Sequence, residues 1–258
     1  MLLAVNVGNT HTVLGLFRNG DLAWHWRMTT DPSRTADELA LVIGGFLAQQ
    51  GLSFSREITG VAISSVVPAC TTALREMTDS YFHFPPVVVE PGVRTGMPVL
   101  TDNPREVGAD RIVNALAGYS RFGGPCVVVD VGTAITYDAV NGKGEFVGGA
   151  ISPGIQMSAT SLFTNTAKLP MVELVPPRSV IGKNTVEAIQ SGLLYGTAAE
   201  IDGVVQRMRG ELGDGATAVA TGGLAGLVVP YCSTIDHHDP WLTLQGLRLV
   251  FDRNVGER

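Results

Sequence analysis

The stretch that decides the fold is VNVGNTHTVLGLF, residues 5–17. Its apolar, strand-like residues are interrupted at Gly8, Asn9 and Thr10 and then resume, which is the pattern of a β-hairpin. A turn of this composition is rich in hydrogen-bond donors and lets a ligand approach the backbone closely. The stretch alone is compatible with a phosphate-binding turn and with an ordinary edge hairpin.

A second copy of the pattern favours the phosphate-binding turn. The segment VDVGTAITYDAV, residues 129–140, aligns with the first hairpin at an offset of 124 residues. The alignment matches Val5 with Val129, Val7 with Val131, Gly8 with Gly132, and Thr12 with Thr136. An offset close to half of a 258-residue chain indicates a duplicated domain. We expect two facing lobes whose glycine-bearing hairpins hold the two ends of a polyphosphate.

Composition and charge limit the classes of partner. The chain is 45% hydrophobic and 16% charged, which suits one large core or two ordinary ones. Its net charge of -6 comes without a long run of Lys and Arg, so we expect no nucleic-acid partner. We also expect no membrane partner and a cytoplasmic location, because the sequence has neither an apolar run of ~18 residues nor the basic start of a signal peptide.

The cysteines and histidines give little sign of a metal or redox site. The three cysteines, at positions 70, 126 and 232, are far apart and form no C-x-x-C pattern, so we interpret them as buried reduced thiols. The adjacent pair His237 and His238 has no ligand spacing, and we expect both residues in a loop.

Helical and strand patterns alternate through the first half of the chain. A helix is predicted from Thr35, with Glu38 in capping-box spacing, and a buried strand from Ile58. Such alternation predicts an α/β fold with a mixed sheet. The second hairpin restarts the pattern, so we place the boundary between about 115 and 125, which gives domains 1–118 and 119–258.

The second half predicts a long helix from Asn184 to about Leu212. It carries Gly192, Gly196 and Gly203, which suggest close packing against another helix, a dimer seam being one possibility.

Two further features lie near the C-terminus. The glycine turn at residues 221–223 could receive the adenosine of a nucleotide or could be a plain strand-to-helix turn. In the last helix we expect Asp239 to be the cap and Pro240 the first helical residue.

The densest polar stretch is DNPREVGADRIVNA, residues 102–115. We expect Pro104 to start a helix, which places Asn103, Glu106, Asp110 and Asn114 on one face. Two carboxylates one turn apart repel each other, so if this face is partly buried, one of them should have a raised pKa, as a general base requires. The alternative is a solvated helix face.

Three further residues, two in this stretch and one in the second hairpin, are candidates for ligand contacts. Gly108 should clear room for a ligand beside Asp110, and Arg111 offers a fork for a carboxylate. Asp130 is a charge inside an apolar strand pattern, so its side chain either points at water or binds a cation, and we favour the cation.

Seven motifs in order, VNVGNT, GADR, VVDVGTA, GGAISPG, GKNT, TGGLA and LTLQGL, give the chain a resemblance to the type III pantothenate kinases along essentially its whole length. The resemblance implies a duplicated actin-like, sugar-kinase-like (ribonuclease H-like) fold and a homodimer. It implies transfer of the γ-phosphoryl group of ATP to the 4′-hydroxyl of pantothenate, the first step toward coenzyme A. It also implies a need for Mg²⁺ and for a monovalent cation, K⁺ or NH₄⁺.

The resemblance also implies roles for individual residues. Asp110 is similar to the catalytic base, and Asp130 to the residue that binds the monovalent cation. The positions similar to the ATP site are Asn6, Val7, Gly8, Asn9, Thr10, His11, Thr12, Val13 and Thr133. The positions similar to the pantothenate site are Gly108, Ala109, Asp110, Arg111 and Thr185.

Two positions depart from the family's pattern. The family usually has Asp where this chain has Asn6, and often Tyr where it has Thr101. An amide keeps an oxygen but lacks the charge that Mg²⁺ prefers, so we expect weakened binding of metal and ATP at Asn6. Thr101 removes a wall of the substrate pocket. These departures leave two alternatives: an impaired or regulatory member of the family, or a kinase of the same fold that acts on another small acid.

Overall fold

The fold is seen in a computed structural model that describes residues 1–213 and 215–255. The chain groups into two compact units. The first unit contains Met1–Gly96, Asn103–Ala117 and the residues from Thr243 onward, and the second contains Met97–Asp102 and Gly118–Leu242. The domains 1–118 and 119–258 stay a prediction.

The first unit contains a five-stranded mixed sheet in the order β3-β2-β1-β4-β5. Strand β1 is antiparallel to β2 and parallel to β4. The elements up to residue 88 are β1 (Leu2–Val7), β2 (His11–Arg18), β3 (Asp21–Thr29), α1 (Ala36–Gln49), α2 (Phe54–Glu57), β4 (Gly60–Ser65), α3 (Pro68–Phe82) and β5 (Val87–Val88). The predicted hairpin at residues 5–17 is therefore confirmed, as is the capping box, in which Thr35 and Glu38 bond each other's backbone N–H groups.

The second unit contains a sheet of the same design, in the order β10-β9-β6-β7-β8. Strand β6 is antiparallel to β7 and parallel to β9, as β1 is to β2 and β4. The remaining elements of the chain are α4 (Ala109–Phe122), β6 (Cys126–Val131), β7 (Ala134–Val140), β8 (Phe146–Pro153), α5 (Ile155–Thr164), α6 (Thr185–Leu212), β9 (Thr217–Thr221), α7 (Ala225–Val228), β10 (His237–His238) and α8 (Leu242–Val255). The duplicated α/β fold is thus confirmed at the level of strand order.

The two faces of the first sheet pack differently. One face, with Leu3, Val5 and Val7, forms a hydrophobic core with side chains of α1 and α3. The other face carries small residues, and α8 packs closely on it. A Cβ atom on Gly15 would lie 2.7 Å from Leu244 Cδ1, and one on Gly60 would lie 2.7 Å from Phe251 Cε2. The small residues therefore set how near α8 approaches the sheet.

Two predictions of local structure near the C-terminus are wrong. His237 and His238 form the short strand β10, which pairs in parallel with β9, and are not loop residues. Helix α8 begins at Leu242, so Pro240 precedes it. Asp239 still acts at this helix start, because its carboxylate accepts a hydrogen bond from the Trp241 N–H (2.9 Å).

No helix within residues 1–213 and 215–255 combines the length and the apolar character needed to span a membrane.

Candidate functional site

The turn of the first hairpin is fixed from the side by Thr30. The Thr30 hydroxyl donates to the Gly8 carbonyl (2.8 Å) and lies 2.9 Å from the Thr12 hydroxyl, while the Thr30 N–H donates to the Thr10 carbonyl (3.0 Å). Asn9, in the middle of the turn, is exposed. The turn is therefore both held and open to solvent. Thr30 was missed by the sequence analysis because its contacts depend on the β2–β3 pairing.

The turn of the second hairpin is one residue shorter. Four residues separate the paired Val7 and Thr12, whereas three separate the paired Val131 and Ile135. The offset between the two copies therefore drops from 124 to 123 across the turn. Thr12 corresponds in register to Ile135, and its predicted match with Thr136 is wrong.

The turn that contains Thr133 is backed by the start of α5. The Gly132 N–H donates to the Ala134 carbonyl (3.0 Å), and the N–H of Gly154, the cap residue of α5, donates to the Thr133 carbonyl (3.1 Å). A Cβ atom on Gly154 would lie 2.5 Å from the Gly132 carbonyl oxygen. The glycine of the ISPG motif thus lets the helix start against the turn.

Asn6 lies at the penultimate position of β1, directly beside Ser64 on the parallel strand β4. Asn6 Oδ1 and Ser64 Oγ are both buried, and neither finds a hydrogen-bond partner among the described residues. Buried polar atoms without partners are rare and need a reason. Sequence reasoning missed Ser64, since only the strand register places it next to Asn6.

The unpaired Oδ1 atom of Asn6 fits the magnesium ion that the resemblance implies. Magnesium bound with a nucleotide takes most of its ligands from phosphates and water, so one protein oxygen is enough. Within residues 1–213 and 215–255, no three His, Cys, Asp or Glu side chains group together as a cage for a metal. A single protein oxygen at Asn6 suits a metal that arrives bound to its nucleotide.

Asp130 occupies the penultimate position of β6 and is half-buried. In the sheet it pairs with Thr136 on β7 and with Thr221 on β9. This neighbourhood places the Asp130 carboxylate beside two residues that carry hydroxyl groups, and the Thr136 hydroxyl donates to Asp138 Oδ2 (3.3 Å). Hard cations prefer oxygen ligands, so the chemistry of these side chains fits a monovalent cation.

Helix α4 begins at Ala109, so the prediction that it starts at Pro104 is wrong. The preceding residues form a separate 3-10 turn, Pro104–Glu106. Asn103 Nδ2 donates to Glu106 Oε1 (2.6 Å), and both residues are exposed. The predicted four-residue face is therefore interrupted.

Asp110 lies in the first turn of α4, and burial raises its pKa, although the Arg111 N–H (2.9 Å from Asp110 Oδ1) and the Arg111 charge oppose the rise. The direction agrees with the expectation for a general base, but the cause is desolvation and not repulsion by Glu106. A Cβ atom on Gly108 would lie 2.6 Å from Asp110 Oδ1. The Asp110 carboxylate thus lies where a side chain at position 108 would be, and the room for a ligand beside it stays a prediction.

The remaining polar residues that the sequence singled out lie in different parts of the chain. Thr185 is the exposed first residue of α6, directly after the cap Asn184, whose Oδ1 accepts from the Glu187 N–H (2.9 Å). Thr101 Oγ1 is buried without a hydrogen-bond partner among the described residues. Asn114, four residues after Asp110 on α4, is 1% exposed.

The candidates divide between the units. Residues 6–13 and 108–111 belong to the first unit, and Asp130, Thr133 and Thr185 belong to the second.

Solved structures share this architecture. A Baf family transcriptional activator from Campylobacter jejuni aligns with 98% of this chain and 99% of its own at a TM-score of 0.62 and 19% identity. The activator of 2-hydroxyisocaproyl-CoA dehydratase from Clostridium difficile aligns with 99% of this chain and 96% of its own at a TM-score of 0.53 and 11% identity. At these identities the likeness concerns the fold alone. With two mixed sheets of the same strand order, the fold is that of the actin-like ATPases and sugar kinases.

Sequence similarity is much more specific. The model of the type III pantothenate kinase family matches residues 2–207. Proteins named type III pantothenate kinase from Streptomyces coelicolor and Acidothermus cellulolyticus are each 54% identical to this chain, covering 99% and 100% of both sequences respectively. The chain belongs to the type III pantothenate kinase family.

Proposed function

We propose that this chain transfers the γ-phosphoryl group of ATP to the 4′-hydroxyl of pantothenate, the first step toward coenzyme A. The observation that carries the proposal is the Asp110 carboxylate: the residue is half-buried, desolvation raises its pKa, and it lies at the start of a helix in a member of this kinase family. A carboxylate with a raised pKa accepts a proton more readily at neutral pH than an ordinary one.

In the proposed reaction, Asp110 accepts the proton of the pantothenate hydroxyl as that oxygen attacks the γ-phosphorus in line with the leaving group. Arg111 binds the pantothenate carboxylate or neighbouring polar groups, and the backbone at Gly108 and Ala109 also contacts pantothenate. Thr185 is a further proposed contact with pantothenate. The N–H groups of the first hairpin turn, residues 8–10, and Thr133 bind the phosphates of ATP.

Each unit is proposed to hold one cation. Asn6 Oδ1 would hold the magnesium ion that accompanies ATP, directly or through water. Asp130 would hold a potassium or ammonium ion. Both cations would offset negative charge on the phosphoryl group during transfer.

We further propose that the protein acts as a homodimer in the cytoplasm. Gly192 and Gly196 lie on an exposed face of α6, and a Cβ atom on either would meet nothing within 4 Å in the described part of the chain. This supports the seam suggested by the glycines, since the face is open to a second chain. Light scattering of the purified protein tests the proposal, and a monomer at micromolar concentration would contradict it.

The kinase activity is tested by release of ADP from ATP with pantothenate, Mg²⁺ and K⁺, with the product identified by mass. We expect 4′-phosphopantothenate from the wild type. We expect no turnover from Asp110→Asn, while its Kd for ATP stays within about twofold, because the change removes a base and no phosphate contact. Turnover by Asp110→Asn would refute the role of Asp110. Wild-type turnover only with another small acid would refute the substrate.

A further inference from the structure

Gly222 lies unusually close to Asp130. It follows Thr221, the residue that pairs with Asp130 across β9 and β6, and its φ is +100°. A Cβ atom on Gly222 would lie 2.6 Å from both the Val131 nitrogen and the Val131 carbonyl oxygen, and nearer still to Asp130 Oδ1. Real Cβ atoms essentially never come within 3.0 Å of another heavy atom. Any side chain at this position must therefore displace the carboxylate or the backbone of β6.

The turn is also fastened to β6 by hydrogen bonds. The Leu224 N–H donates to the Val131 carbonyl (3.0 Å), and the Ala225 N–H closes the turn onto the Gly222 carbonyl (3.2 Å). The turn therefore cannot easily retreat to make room for a side chain.

The duplicated fold does not by itself demand this glycine. In the first unit, Ser64 pairs with Asn6 as Thr221 pairs with Asp130, so Ser65 corresponds to Gly222. Ser65 carries a side chain, whose hydroxyl donates to the Val67 carbonyl (3.1 Å). The close approach is thus particular to the unit whose central strand bears a carboxylate.

We propose that Gly222 is a positioning residue for the Asp130 carboxylate. The position of the glycine turn at residues 221–223 then determines the position of the carboxylate that binds the monovalent cation. This inference rests on the proposed function, in which Asp130 holds that cation. It follows that a nucleoside at the glycine turn and the cation at Asp130 bind cooperatively, because each one fixes the same backbone.

The test compares two glycines with the same backbone strain. Gly213 has a φ of +101°, and in the described part of the chain a Cβ atom there would meet nothing within 4 Å. Both Gly222→Ala and Gly213→Ala place a side chain at a φ that favours glycine, but only the first one meets Asp130. The readout is the midpoint of K⁺-dependent thermal stabilisation of the protein without substrates, titrated with KCl at constant total KCl plus NaCl.

We expect Gly222→Ala to raise the K⁺ midpoint at least tenfold and Gly213→Ala to leave it within twofold. Asp130→Asn should abolish the K⁺ response. If the wild type shows no K⁺ response, or Asp130→Asn keeps it, the cation role of Asp130 in the proposed function fails and this inference fails with it. If Asp130→Asn loses the response while Gly222→Ala keeps the wild-type midpoint, only the positioning role is overturned.

A measurement on the wild type covers the case in which Gly222→Ala does not fold. Adenosine has no phosphate for a cation to touch, so any linkage between adenosine and K⁺ must pass through the protein. We expect the Kd of adenosine to be at least threefold lower in KCl than in NaCl, and the difference to vanish in Asp130→Asn. An equal Kd in the two salts would overturn the proposal.

Discussion

Asn6 and Asp130 occupy the same position in two copies of one sheet, each being the penultimate residue of its central strand. Each is paired in parallel with a buried residue that carries a hydroxyl group, Ser64 beside Asn6 and Thr221 beside Asp130. The duplication thus keeps a side-chain oxygen and a neighbouring hydroxyl group in both units. The charge differs, since the first copy is a neutral amide and the second is a carboxylate.

The neutral amide at position 6 should limit metal binding. We expect Asn6→Asp to lower the KM for magnesium and ATP about tenfold, corresponding to ~1.4 kcal/mol, because it restores a negative charge beside a divalent cation. Asn9→Asp is the matched control: it adds the same charge to the exposed turn that is proposed to bind the phosphates of ATP, where repulsion should raise the KM. Steady-state kinetics across a magnesium titration measure both. An unchanged magnesium dependence in Asn6→Asp would exclude a metal at this position.

Because the Ser64 hydroxyl has no hydrogen-bond partner among the described residues, we expect Ser64→Ala and Ser65→Ala to affect the free energy of unfolding differently. Removing an unsatisfied buried hydroxyl costs little, so Ser64→Ala should leave the free energy of unfolding unchanged or raise it. Ser65→Ala should lower it by about 1 kcal/mol, because the Ser65 hydroxyl bonds both the N–H and the carbonyl of Val67. Urea denaturation measures both values. If Ser64→Ala is the more destabilised variant, its hydroxyl is satisfied in the folded protein.

The raised pKa of Asp110 sets the acid limb of the pH profile. A base must be deprotonated, so kcat/KM should fall as pH drops through the Asp110 pKa, at a pH above the ~3.9 of an ordinary Asp carboxyl group. Because burial is the cause, the shift should persist in Glu106→Gln, which removes the charge first expected to produce it. Measurements of kcat/KM for the wild type and Glu106→Gln from pH 4 to 8 test both expectations. If the acid limb of the profile moves to lower pH in Glu106→Gln, repulsion by Glu106 is a cause of the raised Asp110 pKa.

Short-range sequence patterns predict several elements of the fold. The hairpins and the Thr35–Glu38 capping box depend on neighbours within a few residues of each other, so their sequence signals were sufficient. The start of α4 does not follow from the local pattern, because Asn103 and Glu106, three residues apart, bond each other across a 3-10 turn that precedes the helix.

Pairings across the sheets could not be predicted. Ser64 and Thr221 are 157 residues apart in sequence, not 124, so the repeat that revealed the hairpins does not align them. Thr30 and Gly222 act through contacts that exist only once the strands are in register. Residues of this kind are fixed by tertiary structure and leave no local pattern.

Asp202 should contribute stability that depends on pH. Burial raises its pKa, but hydrogen bonds from the N–H and hydroxyl groups of Ser233 and Thr234 outweigh this, and the pKa is lowered overall. The stabilisation is therefore present above the unfolded pKa of ~3.9 and is lost as pH falls through the folded value.

The Tm of Asp202→Asn should accordingly lie below that of the wild type at pH 7, and the gap should narrow below about pH 4. Asp79→Asn, the same change at an exposed residue, should show no such gap. Calorimetry across pH 3 to 7 measures both. If the Tm difference between Asp202→Asn and the wild type is constant with pH, the charge of the Asp202 carboxylate is not what stabilises its contacts with residues 233–234.

Helix α8 should depend on a glycine where it crosses α4. A Cβ atom on Gly246 would lie 2.6 Å from Val113 Cγ1 and nearer still to the Val113 carbonyl oxygen, which is backbone and cannot swing away. We expect Gly246→Ala to lower the free energy of unfolding by about 1–3 kcal/mol, the usual cost of overpacking. Because Val113 lies one turn after Asp110, kcat should also fall.

Gly210→Ala provides the matched control for that variant. Gly210 is also inside a helix, α6, but among the described residues nothing lies within 4 Å of a Cβ atom placed there. Alanine is the better helix former, so this variant should gain up to ~1 kcal/mol and keep the wild-type kcat. Equal stability changes in the two variants would mean that helix propensity, not the contact with Val113, governs position 246. A destabilised Gly246→Ala with unchanged kcat would mean that α4 keeps Asp110 in place when α8 is displaced.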